Sequence, residues 1–542
     1  MAPTIPPLAV RVASLDDMAD ADLIAAANVL ELAQRVVRQG TATLAASGGP
    51  DVAQALAYDL AHAAAALEAA RSMLEYGAFG ETEATLTCAF VADVVGELAS
   101  RLFGREATWG IDPTALDEAR SFCTTYRDPV FLAGLAGQEG PRHLDEDFEL
   151  VQDTFRRFAD QKLKPIAEHI HRHNADIPED IISGLADMGA FGLSIPEEYG
   201  GYGSGGESEY IAMVVATEEL SRGSIGAGGS LITRPEILTR ALLKGGTEAQ
   251  KLAWLPKLAT AEVMNAVAVT EPDYGSDVAG ITVTATQVDD GWLITGVKTW
   301  CTFAARADVL MLLARTNPDR STAHRGLSMF IVPKERGEGH GFALSQPGGG
   351  TMEGRPIDTI GYRGMHSYEI AFDAWKVDDA NLVGGTDGLG KGFYLQMAGF
   401  ENGRLQTAAR AVGLMQAAYE AAYQYAQDRK VFGEPIVDFQ LTQVKLARMA
   451  LTIQASRQAS YAVARLMAKG EGALEAAMVK AYVCKAAEWV TREAMQIHGG
   501  MGYAEEYDVS RYFVDARVLS IFEGADETLC LKVIARRMAE TA

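Results

Sequence analysis

Apolar residues at helical spacing predict a small helical bundle in the first hundred residues. Three stretches carry leucine, valine or phenylalanine at intervals of about four and seven residues, which gives each helix one apolar stripe. Gly40 and Gly104 are the expected ends of the first and third helices. The predicted helices span about 20–38, 51–76 and 82–103. This bundle offers no group with evident chemistry, so its predicted role is packing or oligomerisation.

The pattern of apolar residues changes several times along the chain. Residues 1–18 contain prolines and are expected to be disordered, and residues 105–142 resemble a linker. A new amphipathic helix is predicted to begin near Asp145. From about residue 263 apolar and polar residues alternate, and Asp289-Asp-Gly291 supplies a hairpin turn between two such stretches. Long helices return from 393 to 498.

These changes predict a mainly α fold with a central, mostly antiparallel β domain. Residues 340–357, with three glycines in a row, are predicted to form a long and potentially functional loop inside that domain. The predicted segments are a helical extension with its linker (1–140), a helical domain (141–262), the β domain (263–385) and a C-terminal helical bundle (386–542).

Composition narrows the classes of partner. The chain has 542 residues, 48 of them basic and 72 acidic, and a net charge of −24. This charge argues against nucleic acid and against anionic membrane surfaces as partners. No apolar run approaches about 20 residues, and no signal segment is evident at the N-terminus. The five cysteines form no CxxC pair, so a reducing cytoplasm is the expected location.

Candidate chemistry lies in two glycine-broken stretches near the C-terminus. These are Gln496-Ile-His-Gly-Gly-Met-Gly-Tyr503 and Ile521-Phe-Glu-Gly-Ala-Asp-Glu527. Glycine allows a close backbone approach to a ligand or a positive φ angle. Glu523 follows apolar residues and precedes Gly524, and a carboxylate in apolar surroundings is a stronger base than one in water. From spacing alone, a helix-capping role for Glu523 beside an ordinary turn is the favoured interpretation.

Two other patterns are weaker. His169 and His173 are spaced to share a helix face, but no third metal ligand recurs nearby, so a solvated helix end is the better interpretation. Gly385-Thr-Asp-Gly-Leu-Gly-Lys391 matches a phosphate-binding loop up to its lysine, but Gly392 stands where Ser or Thr is required. No metal site and no nucleotidase are predicted.

Five stretches of the chain resemble motifs of the acyl-CoA dehydrogenase family, in the family's order. They are the two C-terminal stretches, Val269-Thr-Glu-Pro-Asp-Tyr-Gly-Ser-Asp277, Lys298-Thr-Trp-Cys-Thr302, and Arg429-Lys-Val-Phe-Gly433 followed by Gln440. The resemblance covers about 145–542. It implies an α-helical domain, a β-barrel-like domain and a C-terminal four-helix bundle, with an extra helical domain before them. It also implies FAD as cofactor, an acyl-CoA substrate and electron-transferring flavoprotein as electron acceptor.

The resemblance also implies roles for individual residues. Glu523 is the expected base that removes the α-proton of the thioester while hydride passes to flavin N5. Some relatives take the base from the position that Gly403 occupies here, which leaves Glu523 as the candidate. The expected cofactor-binding residues are Thr270, Ser276, Trp300, Thr302, Arg429, Phe432, Gln440, Gln496, Gly499 and Gly500. The expected substrate-binding residues are Ser276, Arg404 and Gly524.

Three places depart from the family pattern. Cys301 and Phe303 replace the commoner Ile and Asn beside the expected flavin, and Ala525-Asp526 replaces the usual Thr-Ser after the base. In the family, the residues from Arg429 to Gln440 and from Gln496 to Gly500 reach the flavin of a neighbouring subunit. A homo-oligomer is therefore expected, with a dimer favoured if the N-terminal bundle caps the core, and a tetramer possible.

The N-terminal extension resembles one branch of the family, the (2S)-methylsuccinyl-CoA dehydrogenases of the ethylmalonyl-CoA pathway. Such a substrate carries a second carboxylate, which needs a cation when buried. Arg234 lies in a stretch that is usually apolar or small in relatives and is the predicted partner. The alternatives are a general short- or branched-chain acyl-CoA dehydrogenase, a flavin oxidase or monooxygenase, and a non-catalytic DNA-binding paralogue, which the net charge and Glu523 disfavour.

Overall fold

The N-terminal bundle consists of three long helices in this computed structural model, which describes residues 19–337 and 339–542. Helix α1 spans Leu23–Ala46, α2 spans Gln54–Gly77 and α3 spans Glu81–Leu102. The predicted end of α1 near Gly40 is wrong. A Cβ at Gly40 would lie 2.8 Å from Leu60 Cδ2 and 3.0 Å from Trp109 Cε3, so this glycine permits close packing inside the helix. The disorder predicted for 1–18 falls outside the described residues.

Residues 105–142 are packed and do not form the predicted linker. Trp109 is fully buried, and the Arg142 guanidinium forms ion pairs of 3.1 and 2.7 Å with Glu218 and Glu219. The helices here are too short to produce a periodic signal in the sequence. They are α4 (Glu106–Trp109), α5 (Arg120–Tyr126) and α6 (Pro129–Gly134).

Six helices form the second helical region. They are α7 (Glu146–Phe158), α8 (Lys164–His173), α9 (Glu179–Asp187), α10 (Glu207–Gly223), α11 (Thr233–Gly245) and α12 (Glu248–Ala259). Helix α7 begins directly after Asp145, as predicted. His169 and His173 lie exposed at the end of α8. In the described ranges neither belongs to a group of three potential metal ligands.

One eight-stranded sheet forms the β region. Its order is β1-β4-β2-β3-β8-β7-β6, with β5 paired to β4. The strands are β1 (Asn265–Ala268), β2 (Thr284–Val288), β3 (Gly291–Lys298), β4 (Val309–Arg315), β5 (Leu327–Pro333), β6 (Phe342–Ser345), β7 (Thr351–Ile357) and β8 (Ser367–Val377). Only the pairings of β4 with β1 and β2 are parallel in the described sheet. The hairpin predicted at 289–291 joins β2 to β3.

The long loop predicted at 340–357 is wrong, because this stretch forms the β6–β7 hairpin. Ser345 pairs with Thr351, and the Gln346 N–H donates to the Gly350 carbonyl at 2.8 Å. Gly349 has a φ of +93°, a conformation that glycine adopts at no steric cost. The glycines therefore close a tight turn between two strands.

Long helices return after the sheet. Helix α13 (Gly392–Asp428) packs against α10, α11 and α15 (Ala473–Ile497). Helix α2 of the N-terminal bundle packs against α14 (Gln440–Ala468) and α15. The phosphate-loop-like stretch forms a 3₁₀ turn at Gly385–Gly388 that leads into α13. The remaining elements are α13 (Gly392–Asp428), β9 (Lys430–Val431), β10 (Glu434–Pro435), α14 (Gln440–Ala468), α15 (Ala473–Ile497), α16 (Val509–Leu519), α17 (Asp526–Thr528) and α18 (Ala535–Glu540).

The predicted fold class is confirmed: helices surround a central β sheet, and an additional helical bundle precedes them. Among the helices of the described residues, none has both the length and the apolar composition needed to cross a membrane.

Candidate active site

Glu523 lies in the turn between α16 and α17, at the meeting point of several helices. Its φ is +53° and that of Gly524 is +100°. A left-handed conformation is strained for a residue other than glycine, so the surroundings must hold it in place. The Lys480 ammonium does part of this by donating to the Gly524 carbonyl at 2.6 Å. The Glu523 side chain is only 9% exposed.

Two arginines face one oxygen of this carboxylate. Arg410 Nη2 lies 3.0 Å from Glu523 Oε1, and Arg234 Nη2 lies 3.8 Å from the same atom. Arg410 is fully buried. Burial lowers the pKa of its guanidinium, but the Glu523 charge and hydrogen bond outweigh that effect and leave the pKa raised. Arg234 is buried too, so it is not a surface arginine.

Arg410 was not predicted from the sequence. It lies on α13 seven residues after Gly403, and that spacing places both on one helix face. Its Nη1 also reaches Ser230 Oγ at 3.2 Å, next to the stretch that carries Arg234. The signal that could have identified Arg410 is its spacing of seven residues from Gly403, on the helix expected to contact the substrate.

The second oxygen of Glu523 points toward Gly403. A Cβ built on Gly403 would lie 2.2 Å from Glu523 Oε2. Oε2 is buried and has no hydrogen-bond partner among the described residues. The position from which some relatives supply the base is therefore occupied in space by the Glu523 carboxylate, and Oε2 is the oxygen available to accept a proton.

Further charged groups are buried near Glu523. Burial lowers the pKa of Arg404, against the charges of Glu401 and Glu523, and its buried Nε has no partner among the described residues. Burial also raises the pKa of Glu236 to about 7; Arg240 opposes that rise, and the charges of Glu209 and Glu523 add to it. Buried groups of both signs therefore surround Glu523, with Arg410 and Arg234 at its Oε1.

The motifs of the β region are held together by a buried ion pair. Lys298 Nζ lies 2.9 Å from Glu271 Oε1, and both side chains are buried. Burial lowers the pKa of Lys298 to about 8, although Glu271 opposes this. The Thr299 N–H also donates to the Thr270 carbonyl at 2.8 Å. The two motifs that contain Thr270 and Trp300 are therefore fixed side by side.

The predicted flavin residues of this region lie at the surface or in half-buried positions. Trp300 is 56% exposed with a φ of +57°, and Thr302 Oγ1 lies 3.1 Å from Ser367 Oγ. Ser276 is exposed, and its hydroxyl accepts from Thr528 Oγ1 at 2.8 Å. This bond joins the β region to the segment that follows Glu523.

The predicted flavin residues of the C-terminal helices meet at a separate place. Phe432 is 95% exposed with a φ of +55°. Together with Gln496 it lines a shallow cavity of about 310 Å³, whose other lining residues are Val431, Ile436, Phe439, Leu441, Thr442, Lys445 and Ile497. Gln440 starts α14 beside it, Arg429 is exposed at the end of α13, and a Cβ at Gly499 or Gly500 would meet nothing within 4 Å.

These surfaces fit a flat aromatic cofactor. Trp300 and Phe432 expose large aromatic faces, which are unfavourable in water unless a ligand or partner covers them. Arg429 adds an exposed guanidinium of the type that binds a pyrophosphate. The residues that line the 310 Å³ cavity include neither Glu523 nor the arginines around it. This agrees with the expectation that one chain contributes two separate cofactor-binding surfaces.

Comparison with known proteins identifies the family. The N-terminal, middle and C-terminal domain models of acyl-CoA dehydrogenases match residues 145–262, 266–375 and 390–539. The chain is 46% identical over 402 residues to (2S)-methylsuccinyl-CoA dehydrogenase from Cereibacter sphaeroides, covering 74% of this chain and 71% of that protein.

Solved structures agree with that result. The structure of the glutaryl-CoA dehydrogenase complex with glutaryl-CoA matches with a TM-score of 0.67 at 32% identity, over 74% of this chain and 97% of the other. Butyryl-CoA dehydrogenase from Megasphaera elsdenii matches with a TM-score of 0.67 at 30% identity, over 74% and 99%. The chain belongs to the acyl-CoA dehydrogenase family, an FAD-binding family of dehydrogenases.

Proposed function

We propose that this acyl-CoA dehydrogenase oxidises (2S)-methylsuccinyl-CoA to mesaconyl-CoA. The observation that carries the proposal is the pair of buried guanidinium groups of Arg410 and Arg234 at Glu523 Oε1. Arg234 is 3.8 Å from Oε1, which is beyond hydrogen-bond distance, so its buried guanidinium could donate to a substrate carboxylate. The relative from Cereibacter sphaeroides carries the name of the same activity.

Glu523 is the proposed base. Its Oε2 is buried and without a partner among the described residues, so it accepts the α-proton of the thioester, while Arg410 steadies Oε1. The backbone N–H of Glu523 donates to the thioester oxygen and stabilises the developing enolate. Arg234 binds the distal carboxylate, and Arg404 and Ser276 contact the CoA portion.

FAD is the proposed cofactor, and when bound it would supply the acceptor for the hydride of the β-carbon. Trp300, Thr302 and Thr270 would hold its ring, and Ser276 would contact its pyrophosphate. The flavin of a second subunit would be held by Arg429, Phe432, Gln440, Gln496, Gly499 and Gly500. A homodimer that passes electrons to electron-transferring flavoprotein completes the proposal.

An anaerobic titration tests the substrate. The absorption of the bound flavin is followed while (2S)-methylsuccinyl-CoA or butyryl-CoA is added to the wild type, to Arg234→Ala and to the exposed-arginine control Arg536→Ala. We expect methylsuccinyl-CoA alone to bleach the wild type and the control, and Arg234→Ala to lose roughly 10- to 150-fold in rate, because a hydrogen bond to a charged group contributes about 1.5–3 kcal/mol. Bleaching by butyryl-CoA alone would refute methylsuccinyl-CoA as the substrate and leave the acyl-CoA dehydrogenase activity in place. Rapid reaction of the reduced protein with oxygen would favour an oxidase.

A further inference from the structure

Two side chains of the N-terminal bundle bind a buried carboxylate in the segment that carries Glu523. Tyr58 Oη donates to Asp526 Oδ2 at 2.5 Å, and His62 Nε2 lies 3.0 Å from the same oxygen. Tyr58 and His62 are four residues apart on α2 and therefore share a face. Asp526 is only three residues after Glu523 and is 3% exposed.

Asp526 needs these partners in order to stay charged. Burial raises its pKa, but the hydrogen bonds from His62 and Tyr58, with help from Lys485 at 3.6 Å, bring the pKa down to about 2. A buried carboxylate that loses its hydrogen-bond donors is strongly destabilised in its charged form. The two bundle residues therefore fix the side chain of Asp526 in one place.

The Asp526 backbone and its neighbours transmit this constraint to Glu523. The Asp526 N–H donates to the Ser520 carbonyl at 3.0 Å, which closes the turn around the left-handed pair Glu523 and Gly524. Lys480 holds the Gly524 carbonyl inside that turn. A strained turn keeps its shape only when several contacts determine it.

We infer that Tyr58 and His62 are positioning residues, through which the N-terminal bundle holds the turn that presents the Glu523 carboxylate. The bundle thus contributes to the geometry of the active site. This inference rests on the proposed role of Glu523 as base, but its first test does not depend on that role.

Hydrogen exchange measured by mass spectrometry on the full-length holoenzyme is the first test. We expect peptides that cover 520–529 to exchange at least tenfold faster in Tyr58→Phe, which loses only the hydroxyl, and in His62→Leu. His62→Gln keeps an N–H donor and should restore most of the protection. Asp51→Asn is the matched control, because Asp51 joins the same bundle to the C-terminal region through exposed ion pairs with Lys532 and Arg536. Unchanged exchange at 520–529 in both Tyr58→Phe and His62→Leu overturns the inference.

Single-turnover flavin reduction is the second test. We expect Tyr58→Phe and His62→Leu to slow reduction about tenfold and to enlarge the isotope effect of an α-deuterated thioester, with flavin content unchanged. A role confined to stability would lower the melting temperature and leave the isotope effect as in the wild type, which contradicts the inference. Glu523→Gln separates the two hypotheses: if this variant still reduces its flavin, the base assignment fails, whereas the exchange result stands.

Discussion

An alanine at position 403 is expected to leave the protein folded and to slow proton abstraction about 100-fold. Gly403 lies inside α13, where alanine is favoured over glycine by about 1 kcal/mol. The atom nearest to the new Cβ would be Glu523 Oε2, at 2.2 Å. That atom is the end of a flexible side chain, so the clash is relieved by movement of the carboxylate and not by unfolding of the helix.

The size of that movement determines the expected loss. Ordinary contact with a Cβ begins at 3.4 Å, so Oε2 must retreat by about 1.2 Å. A misplacement of about 1 Å in a reacting group costs on the order of 100-fold in rate, which corresponds to about 2.7 kcal/mol in the activation free energy. The same movement strains the bond between Arg410 and Oε1, since the two oxygens belong to one rigid carboxylate.

Stopped-flow flavin reduction at saturating substrate, with thermal melting alongside, measures both quantities. We expect Gly403→Ala to melt at or above the wild-type temperature while reduction slows. The Glu523→Asp background is the control, because its carboxylate is one methylene shorter and lies farther from the new methyl group. In the Glu523→Asp background, adding Gly403→Ala should slow flavin reduction by much less than 100-fold. A wild-type rate in Gly403→Ala, or equal losses in both backgrounds, would show that Oε2 does not face Gly403 in the reacting enzyme.

Three further predictions concern charge and assembly. Arg410→Met should slow turnover of methylsuccinyl-CoA and of butyryl-CoA alike, roughly 10- to 150-fold, because Arg410 steadies the base; steady-state kinetics with both thioesters can measure this, and a loss confined to methylsuccinyl-CoA would assign Arg410 to the substrate carboxylate instead. Glu236→Gln should raise the melting temperature more at pH 8 than at pH 5. The pKa of Glu236 in the folded protein, about 7, lies above its ordinary value of 4.5, so its contribution to stability is lost as pH rises through 7; a pH-independent change would contradict this. Light scattering should find a dimer at micromolar concentration, and a tetramer would exclude the proposed cap.

Short motifs were predictable from the sequence because their geometry is set by neighbouring residues. The turn at Glu523 and Gly524 was identified from its glycine, and the structure gives both residues positive φ angles. The β2–β3 hairpin followed from alternation and from Gly291. Arg234 was predicted from resemblance as the partner of a substrate carboxylate, whereas its position 3.8 Å from Glu523 Oε1 was not predicted.

Features that depend on distant contacts were missed. Arg410 resembles any other arginine in a long helix until Glu523, 113 residues later, is brought to 3.0 Å. The packing of 105–142 depends on side chains such as Trp109 that have no periodic neighbours. Gly40 was interpreted as a helix stop because local rules cannot detect that Leu60 occupies the space a Cβ at this position would need.

The departure from the family pattern at Ala525-Asp526 has a physical explanation in the N-terminal bundle. In a chain without the N-terminal bundle, a buried aspartate in place of a small hydroxyl residue would be unfavourable, because its charged carboxylate would lack hydrogen-bond donors. Here Tyr58 and His62 supply them from α2, 468 and 464 residues away. The aspartate therefore depends on the extension for two of its hydrogen-bond donors. Asp526→Ser should accordingly weaken the hold of the bundle on the Glu523 turn as Tyr58→Phe does, and the two changes combined should cost little more than either one, because both remove the same contact.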